Sequence, residues 1–323
     1  MNQTVFITGI AGFIGSHLSE LLLKQGYRVI GLDNLSTGSV DNIASLMDNP
    51  NFHFARADID CDLVVDRMAS QADTIIHLAA AVGVELIVDR PVQTIETNIM
   101  GTEKILKAAL RYDNRVLIAS TSEVYGKGIR MPFAEDDDVV LGPTSKHRWA
   151  YAASKMVDEF LGLAYHHEYG LEVIPFRLFN TVGPRQSGRY GMVIPRFVRW
   201  ALANEPIRVY GDGLQTRCFC HVFDIIRGIQ ALMESKGGTG SVHNIGGLNE
   251  ISMLALAEMI KEMTGSQSEI KMIPYDEAYS PGFEDMRQRR PDISRMKKSV
   301  DWEPRRDLQT ILQDVIDFER SRI

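Results

Sequence analysis

The sequence predicts a doubly wound α/β fold, with a parallel sheet first and a smaller mixed α/β C-terminal lobe after it. Three observations lead there. Short β-branched runs alternate with helix-period segments through the first half of the chain, a glycine-spaced turn follows the first run, and a carboxylate ends the second. Strand–helix alternation of this kind implies parallel strands joined by crossover helices.

The strand candidates are 4–8, 28–33, 52–58, 74–79, 116–120 and 172–177. Between the first two, Ile14, Leu18, Leu21 and Leu22 share one helical face, and Gly26 is placed to end that helix. After Asn180 the rhythm changes: Gly183, Pro184, Gly188, Gly191 and Pro195 punctuate the chain. A helix over about 192–204 and a strand over 207–210 come next. The run 221–234, a strand near 242–245, a helix over 253–264 and a terminal helix from Asp307 follow. This half shows no independent periodic core, so it reads as a lobe closing over the sheet. The expected division is 1–180 and 181–323, with room for the chain to cross back to the first domain around 215–250.

Bulk properties exclude several functions. The 323 residues carry a net charge of −7, against the basic excess that general nucleic-acid binding requires. A small anion held by a few local arginines stays open. The first strand begins at Thr4, which leaves no room for a signal peptide, and no apolar run is long enough to cross a membrane. Cys61, Cys218 and Cys220 do not have metal-ligand spacing. Cys218 and Cys220 lie two apart in a strand-like segment and read as small, partly buried residues on one face. Three reduced thiols and no metal site fit the cytoplasm.

Thr8-Gly9-Ile10-Ala11-Gly12-Phe13-Ile14-Gly15 lies between the first strand and the first helix. A backbone that turns tightly there and approaches a pyrophosphate needs glycine, and the helix N-terminus then offers N–H groups to the phosphates. Asp33 ends the second strand, where a carboxylate accepts hydrogen bonds from a ribose 2′-hydroxyl. No Lys or Arg follows between Asn34 and Val40 to neutralise a 2′-phosphate. The cofactor predicted is therefore NAD, not NADP, on a Rossmann-type doubly wound parallel sheet.

The spacing G-x-x-G-x-x-G resembles the short-chain dehydrogenase/reductase superfamily. By that resemblance Gly9, Gly12, Phe13, Ile14 and Gly15 hold the cofactor phosphates, and Asp33 with Asn34 the ribose. Asp58-Ile59 resembles the adenine-contacting pair, and Leu78, Ala79 and Ala80 the fourth-strand segment beside the cofactor; Asn98 joins them. His77 reads better as a satisfied strand-end histidine than as a catalyst.

Tyr151 and Lys155 stand one helical turn apart. A free tyrosine is a poor base at neutral pH; a nearby ammonium and a positive nicotinamide both favour its phenolate. Thr121, after the fifth strand, can hydrogen-bond the oxygen that Tyr151 deprotonates. With Asn180, Gly183-Pro184-Arg185 and Val209-Tyr210-Gly211-Asp212-Gly213, these residues make nearly the whole chain resemble extended short-chain dehydrogenases acting on nucleoside diphosphate sugars. That family implies oxidation at sugar C4 by NAD, chemistry on the 4-keto sugar, and usually return of the hydride. It also implies a homodimer formed by the helices before Tyr112 and from Tyr151.

Ser122 and Glu123 complete a Thr-Ser-Glu triplet like that of UDP-glucuronate decarboxylases and sugar-nucleotide dehydratases. Simple 4-epimerases usually carry a small residue or threonine at the third place. Gln288-Arg289-Arg290-Pro291-Asp292-Ile293 resembles the decarboxylase segment bearing a catalytic, substrate-binding arginine, which maps to Arg289; Arg148-Trp149 adds to the likeness. Once C4 is a ketone, a C5 carboxylate is a β-keto acid and leaves as carbon dioxide, with Glu123 and Arg289 positioning it and managing the proton for C5. One departure favours a 4-epimerase: 81–87 lacks the Pro and Tyr usual there, and Glu85 would repel a carboxylate. A 4,6-dehydratase is the third possibility. Asn180, Arg217 and Arg289 are candidates for diphosphate contacts, and Arg185 joins Arg189 and Arg196 in a looser basic cluster. The substrate expected is a UDP-sugar.

Overall fold

The computed structural model describes residues 3–81, 90–146, 148–188, 192–278 and 286–322. Its centre is a seven-stranded parallel sheet ordered β11-β6-β5-β4-β1-β2-β3. These strands are β1 (Thr4–Thr8), β2 (Arg28–Asp33), β3 (Phe52–Arg56), β4 (Thr74–His77), β5 (Arg115–Thr121), β6 (Val173–Leu178) and β11 (His243–Ile245). The order reverses between β1 and β4, and a sheet of this kind opens its ligand crevice at that reversal.

Period-two alternation sends neighbouring side chains to opposite faces. Val5, Ile7, Val29, Ile76, Leu117 and Ile174 join one core, beneath α1 (Phe13–Lys24) and α6 (Val222–Glu234). Phe6, Ile30, Ile75, Val116 and Ile118 join another, with α2 (Asp62–Ala69) and α3 (Pro91–Tyr112). Both faces are covered, which is why the strands read as continuous apolar runs. On the second face α3 also packs against α4 (Arg148–Tyr169).

Two strands end earlier than the sequence suggests. β3 stops at Arg56 and β4 at His77, so Asp58 and Leu78–Ala80 lie in the loops beyond the strands' carboxyl ends. That is where they can meet a ligand. From the run 221–234, Val222–Glu234 is a helix, α6, capped by His221 and packed on α1, and β11 pairs with β6 at the sheet edge. This part of the second half thus belongs to the first sheet.

The expectation that the second half lacks its own core needs correction. α5 (Val193–Leu202), α7 (Met253–Thr264) and α9 (Leu308–Arg320) bury Ile194, Phe197, Val198, Leu256, Ile260, Ile311, Leu312 and Ile316 together, with β8 (Ile207–Tyr210). Each helix shows its own apolar stripe. The stripes are far apart in sequence, and only folding brings them together. Between α8 (Ser294–Val300) and α9, Trp302 is buried in the first-sheet core instead. The Cys218–Cys220 segment is also not one strand: β9 (Thr216–Cys218) pairs with β12 (Glu250–Ser252), and β10 (Cys220–His221) with β7 (Thr181–Val182). Both thiols are free and buried, and burial pushes that of Cys218 up to about 12.

Candidate active site

A cavity of about 860 Å³ opens at the carboxyl ends of the strands, between the sheet and the C-terminal lobe. Its sheet side begins at the glycine turn. Gly9 has φ +73° and donates its N–H to Leu32 O at 2.9 Å, conformations that suit glycine. A Cβ on Gly15 would lie 2.2 Å from Gly9 O, so α1 approaches the turn only because that residue is glycine. Gly12 caps α1 without a side-chain hydrogen bond, leaving the first-turn N–H groups and the positive helix end for a ligand. Gly9, Gly12, Phe13, Ile14 and Gly15 all line the cavity.

Asp33 is buried and accepts backbone N–H groups from Ala11 at 3.0 Å, from Leu35 at 2.8 Å and from Gly12. Burial pushes its carboxyl above the usual range, against these hydrogen bonds. The same carboxylate therefore shapes the glycine turn and faces the cavity. Asn34 donates to Asp58 at 2.7 Å, tying the ends of β2 and β3 together beside Ile59. Leu78, Ala79 and Ala80 complete this wall.

The reactive groups gather at the end of β5. The Thr121 hydroxyl accepts from Glu123 N at 3.2 Å and hydrogen-bonds the Tyr151 phenol. Lys155 is buried, its ammonium 2.6 Å from the carboxylate of Asp158. With protein groups alone the Tyr151 phenol is pushed above its ordinary value. Burial and the negative Glu123 outweigh the Thr121 hydrogen bond. The lysine is in place, but it does not by itself produce the phenolate. Ser122 lines the cavity with its hydroxyl buried and unpartnered among the described residues.

Glu123 joins segments distant in sequence. Its Oε1 lies 2.6 Å from Arg289 and its Oε2 3.2 Å from Arg148. Burial would raise its carboxyl, but Arg289, Arg148 and Arg217 hold it down at about 2. Arg289 reaches it because the segment is pinned on both sides. Arg287 O accepts from Thr216 N at 2.9 Å, and Arg290 O from Phe133 N at 2.9 Å.

A family model, GDP-mannose 4,6 dehydratase, matches residues 6–315. The chain belongs to the NAD-dependent epimerase/dehydratase family. It is an enzyme of that class. It is 41% identical to a UDP-N-acetyl-alpha-D-glucosaminuronate decarboxylase of Bacillus cytotoxicus, over 99% of each chain. UDP-glucuronic acid decarboxylase 1 of Arabidopsis thaliana is 38% identical, over 99% of this chain and 70% of the relative. Among solved structures, a UDP-glucuronic acid 4-epimerase of Bacillus cereus, in complex with UDP-glucuronic acid and NAD, aligns with TM-score 0.89 at 30% identity. The alignment covers 99% of this chain and 100% of that one.

Within this epimerase/dehydratase framework the remaining candidates take different places. His77 is a satisfied histidine, bonded to Thr8 at 2.8 Å and Thr102 at 3.2 Å, and burial pushes it down to about 3. Asn98, expected to touch the cofactor, instead lies behind the cavity wall. It accepts from Ala81 N and donates to Ser154, both at 2.9 Å, joining the β4 loop to α4. Asn180 lines the cavity, but its amide donates to Cys218 O at 3.0 Å. Arg217 is buried in β9 and faces the cavity.

Of the looser basic cluster, Arg185 and Arg196 both line the cavity. Arg185 turns to α1, 2.5 Å from Glu20, while Arg196 stacks on Trp200 and donates to the Tyr210 hydroxyl at 2.6 Å. Each has found a local partner of its own. Arg189 and residues 82–87, including Glu85, lie outside the described residues. Sequence reasoning gave Arg148 no place in the site, although its position three residues before Tyr151 on a helix put both side chains on one face.

Proposed function

We propose that the protein is an NAD-dependent decarboxylase of a UDP-linked uronic acid, either UDP-glucuronate or its 2-acetamido analogue. The observation that carries this reading is the Glu123 carboxylate, held between Arg289 and Arg148 beside Tyr151. Such a cluster has no use in the rotation of a neutral 4-keto sugar, but it suits a substrate with a carboxylate on C5. The 41% identity to a uronate decarboxylase supports the reading.

The glycine turn, the uncapped α1 N-terminus and Asp33 fit a dinucleotide without a 2′-phosphate. Asp33 accepts three backbone N–H groups and, with about four acceptor sites on a carboxylate, keeps one for a ribose hydroxyl. When bound, NAD⁺ would accept the C4 hydride and add positive charge near the phenol. Thr121 and Tyr151 hold the C4 hydroxyl, and Tyr151 takes its proton, with Lys155 as the fixed cation one helical turn on. Oxidation makes the C5 carboxylate a β-keto acid, and the C5–carboxyl bond breaks to release carbon dioxide. Glu123, ionised near neutral pH, orients the group, and the proton for C5 comes from a water held by Glu123, Arg289 and Ser122.

In this reading residues 1–180 hold the cofactor and 181–323 the UDP-sugar, with Asn180, Arg217 and Arg289 towards the diphosphate and Arg185 at the α1 boundary. A cytoplasmic homodimer through α3 and α4 belongs to the same reading. Those helices expose Val92, Met100 and Phe160. No helix among the described residues is long and apolar enough to cross a membrane.

The test is incubation of the NAD-loaded enzyme with UDP-glucuronate, its 2-acetamido analogue and UDP-glucose, with products followed by mass spectrometry. Loss of carbon dioxide from a uronate is the expected result. Unchanged mass with inverted C4 would identify a 4-epimerase instead, and loss of water a dehydratase.

A further inference from the structure

Arg148 is the first residue of α4, three residues before Tyr151, and its side chain is only 13% exposed. Its guanidinium lies 5.3 Å from the centre of the Trp149 ring, and its Nη2 meets Glu123 at 3.2 Å. Arg289 holds the other oxygen of Glu123 more closely, at 2.6 Å. Arg148, Arg217 and Arg289 all act on the Glu123 carboxylate and line the same cavity.

A sugar positioned with its C4 hydroxyl at Thr121 and Tyr151 has C5 as the next ring atom. A carboxyl group on C5 then falls beside whatever flanks those two residues. Glu123 is two residues beyond Thr121, and Arg148 shares a helical face with Tyr151. A planar guanidinium can take a carboxylate side-on. Of the two Glu123 contacts, the longer one, to Arg148, is the easier to exchange.

We propose that Arg148 determines specificity, selecting a uronate over a neutral hexose by exchanging its ion pair with Glu123 for one with the substrate carboxylate. A hexose offers only a hydroxymethyl group at that place and gains nothing from the exchange. Arg289 keeps Glu123 in position throughout. This assignment rests on the uronate reading above and names the group that enforces it.

Calorimetry on the NAD-loaded protein tests it, in a Tyr151→Phe background that slows turnover. UDP-glucuronate, UDP-glucose and UDP are the ligands. The background protein should bind UDP-glucuronate about 10- to 100-fold more tightly than UDP-glucose, the range of a charge-assisted hydrogen bond. Adding Arg148→Met should bring that ratio close to one while affinity for UDP alone holds. Arg148→Gln, which keeps a polar contact with Glu123, must do the same and serves if the methionine variant does not fold. A ratio preserved in either folded variant assigns Arg148 to propping Glu123 and overturns the proposal alone. A background protein that does not prefer UDP-glucuronate removes the uronate reading and the proposal together.

Discussion

Two arginine–carboxylate clusters flank the end of β5, and they differ in what they leave undone. In the first, Arg177 bonds Glu159 through Nε and Nη2, the latter at 2.7 Å, and donates through Nη1 to Glu135 O at 3.2 Å. Ser120 adds a hydrogen bond to Glu159, and the guanidinium covers the Tyr125 ring at 4.6 Å. Neither charged side chain is more than 7% exposed. In the second, Glu123 and its two arginines line the main cavity at 10–23% exposure, and Arg289 Nε and Ser122 Oγ stay unpartnered among the described residues. A cluster that satisfies all its members holds the fold. One whose charged members line a cavity and leave donors unpaired is arranged for something that arrives later.

That contrast can be broken most forcefully at the closed cluster. Arg177→Met leaves Glu159 buried without its cation, which costs about 3–5 kcal/mol. Denaturant unfolding should show that loss even in protein saturated with NAD. A change within about 0.5 kcal/mol would mean that the cluster is no more structural than a surface pair.

Tyr151→Phe is the opposite case. It removes a hydroxyl from the cavity and should leave folding and cofactor binding intact. Turnover should fall by about 10²- to 10⁴-fold, the range of a lost acid–base group. Near-normal turnover, with an unchanged melting temperature, would remove Tyr151 from the mechanism.

The two halves of the cavity were unequally legible in the sequence. The cofactor half is local: turn, helix and Asp33 fall within one strand–helix–strand unit, so spacing alone exposed them. The sugar half draws on positions 123, 148, 217 and 289, from segments that meet only after the lobe folds over the sheet. Arg289 emerged through a family resemblance and Glu123 through its place after Thr121. The Arg148 pairing had no local sign beyond its helical offset from Tyr151. Asn98 came from the family resemblance alone, and no spacing signal announced its hydrogen bonds to Ala81 and Ser154 behind the wall. The lobe core stayed hidden for the same reason as the sugar site: its stripes are separated along the chain.

Glu123→Gln sharpens the comparison, because it neutralises the centre of the open cluster and changes little in shape. Loss of carbon dioxide should slow by about 10²-fold, while NADH formation at C4 remains detectable by absorbance. The variant should also be less stable than wild type, by less than Arg177→Met costs, since a more exposed cavity lets water solvate the two arginines. If NADH formation is abolished together with decarboxylation, Glu123 acts at C4 and the assignment to C5 fails.

The smallest expected effect is the pH dependence of that stability gap. Arg289 and Arg148 hold the folded carboxyl of Glu123 at about 2, below its ordinary value of 4.5, although burial opposes them. A group whose folded pKa is depressed contributes fully above the unfolded value, and the contribution is lost as pH falls towards the folded one. Glutamine cannot titrate. The gap in unfolding free energy between wild type and Glu123→Gln should therefore be constant near neutrality and shrink as pH falls from about 5.5 towards about 2. Buried histidines complicate either protein alone, since burial pushes His77 down to about 3 and both His221 and His243 to about 4. Acid destabilises wild type and variant alike through them, so their effect cancels in the difference. A gap that stays level across this range would mean that the arginines do not hold Glu123 ionised, and the open cluster would then lose the charge on which its proposed chemistry depends.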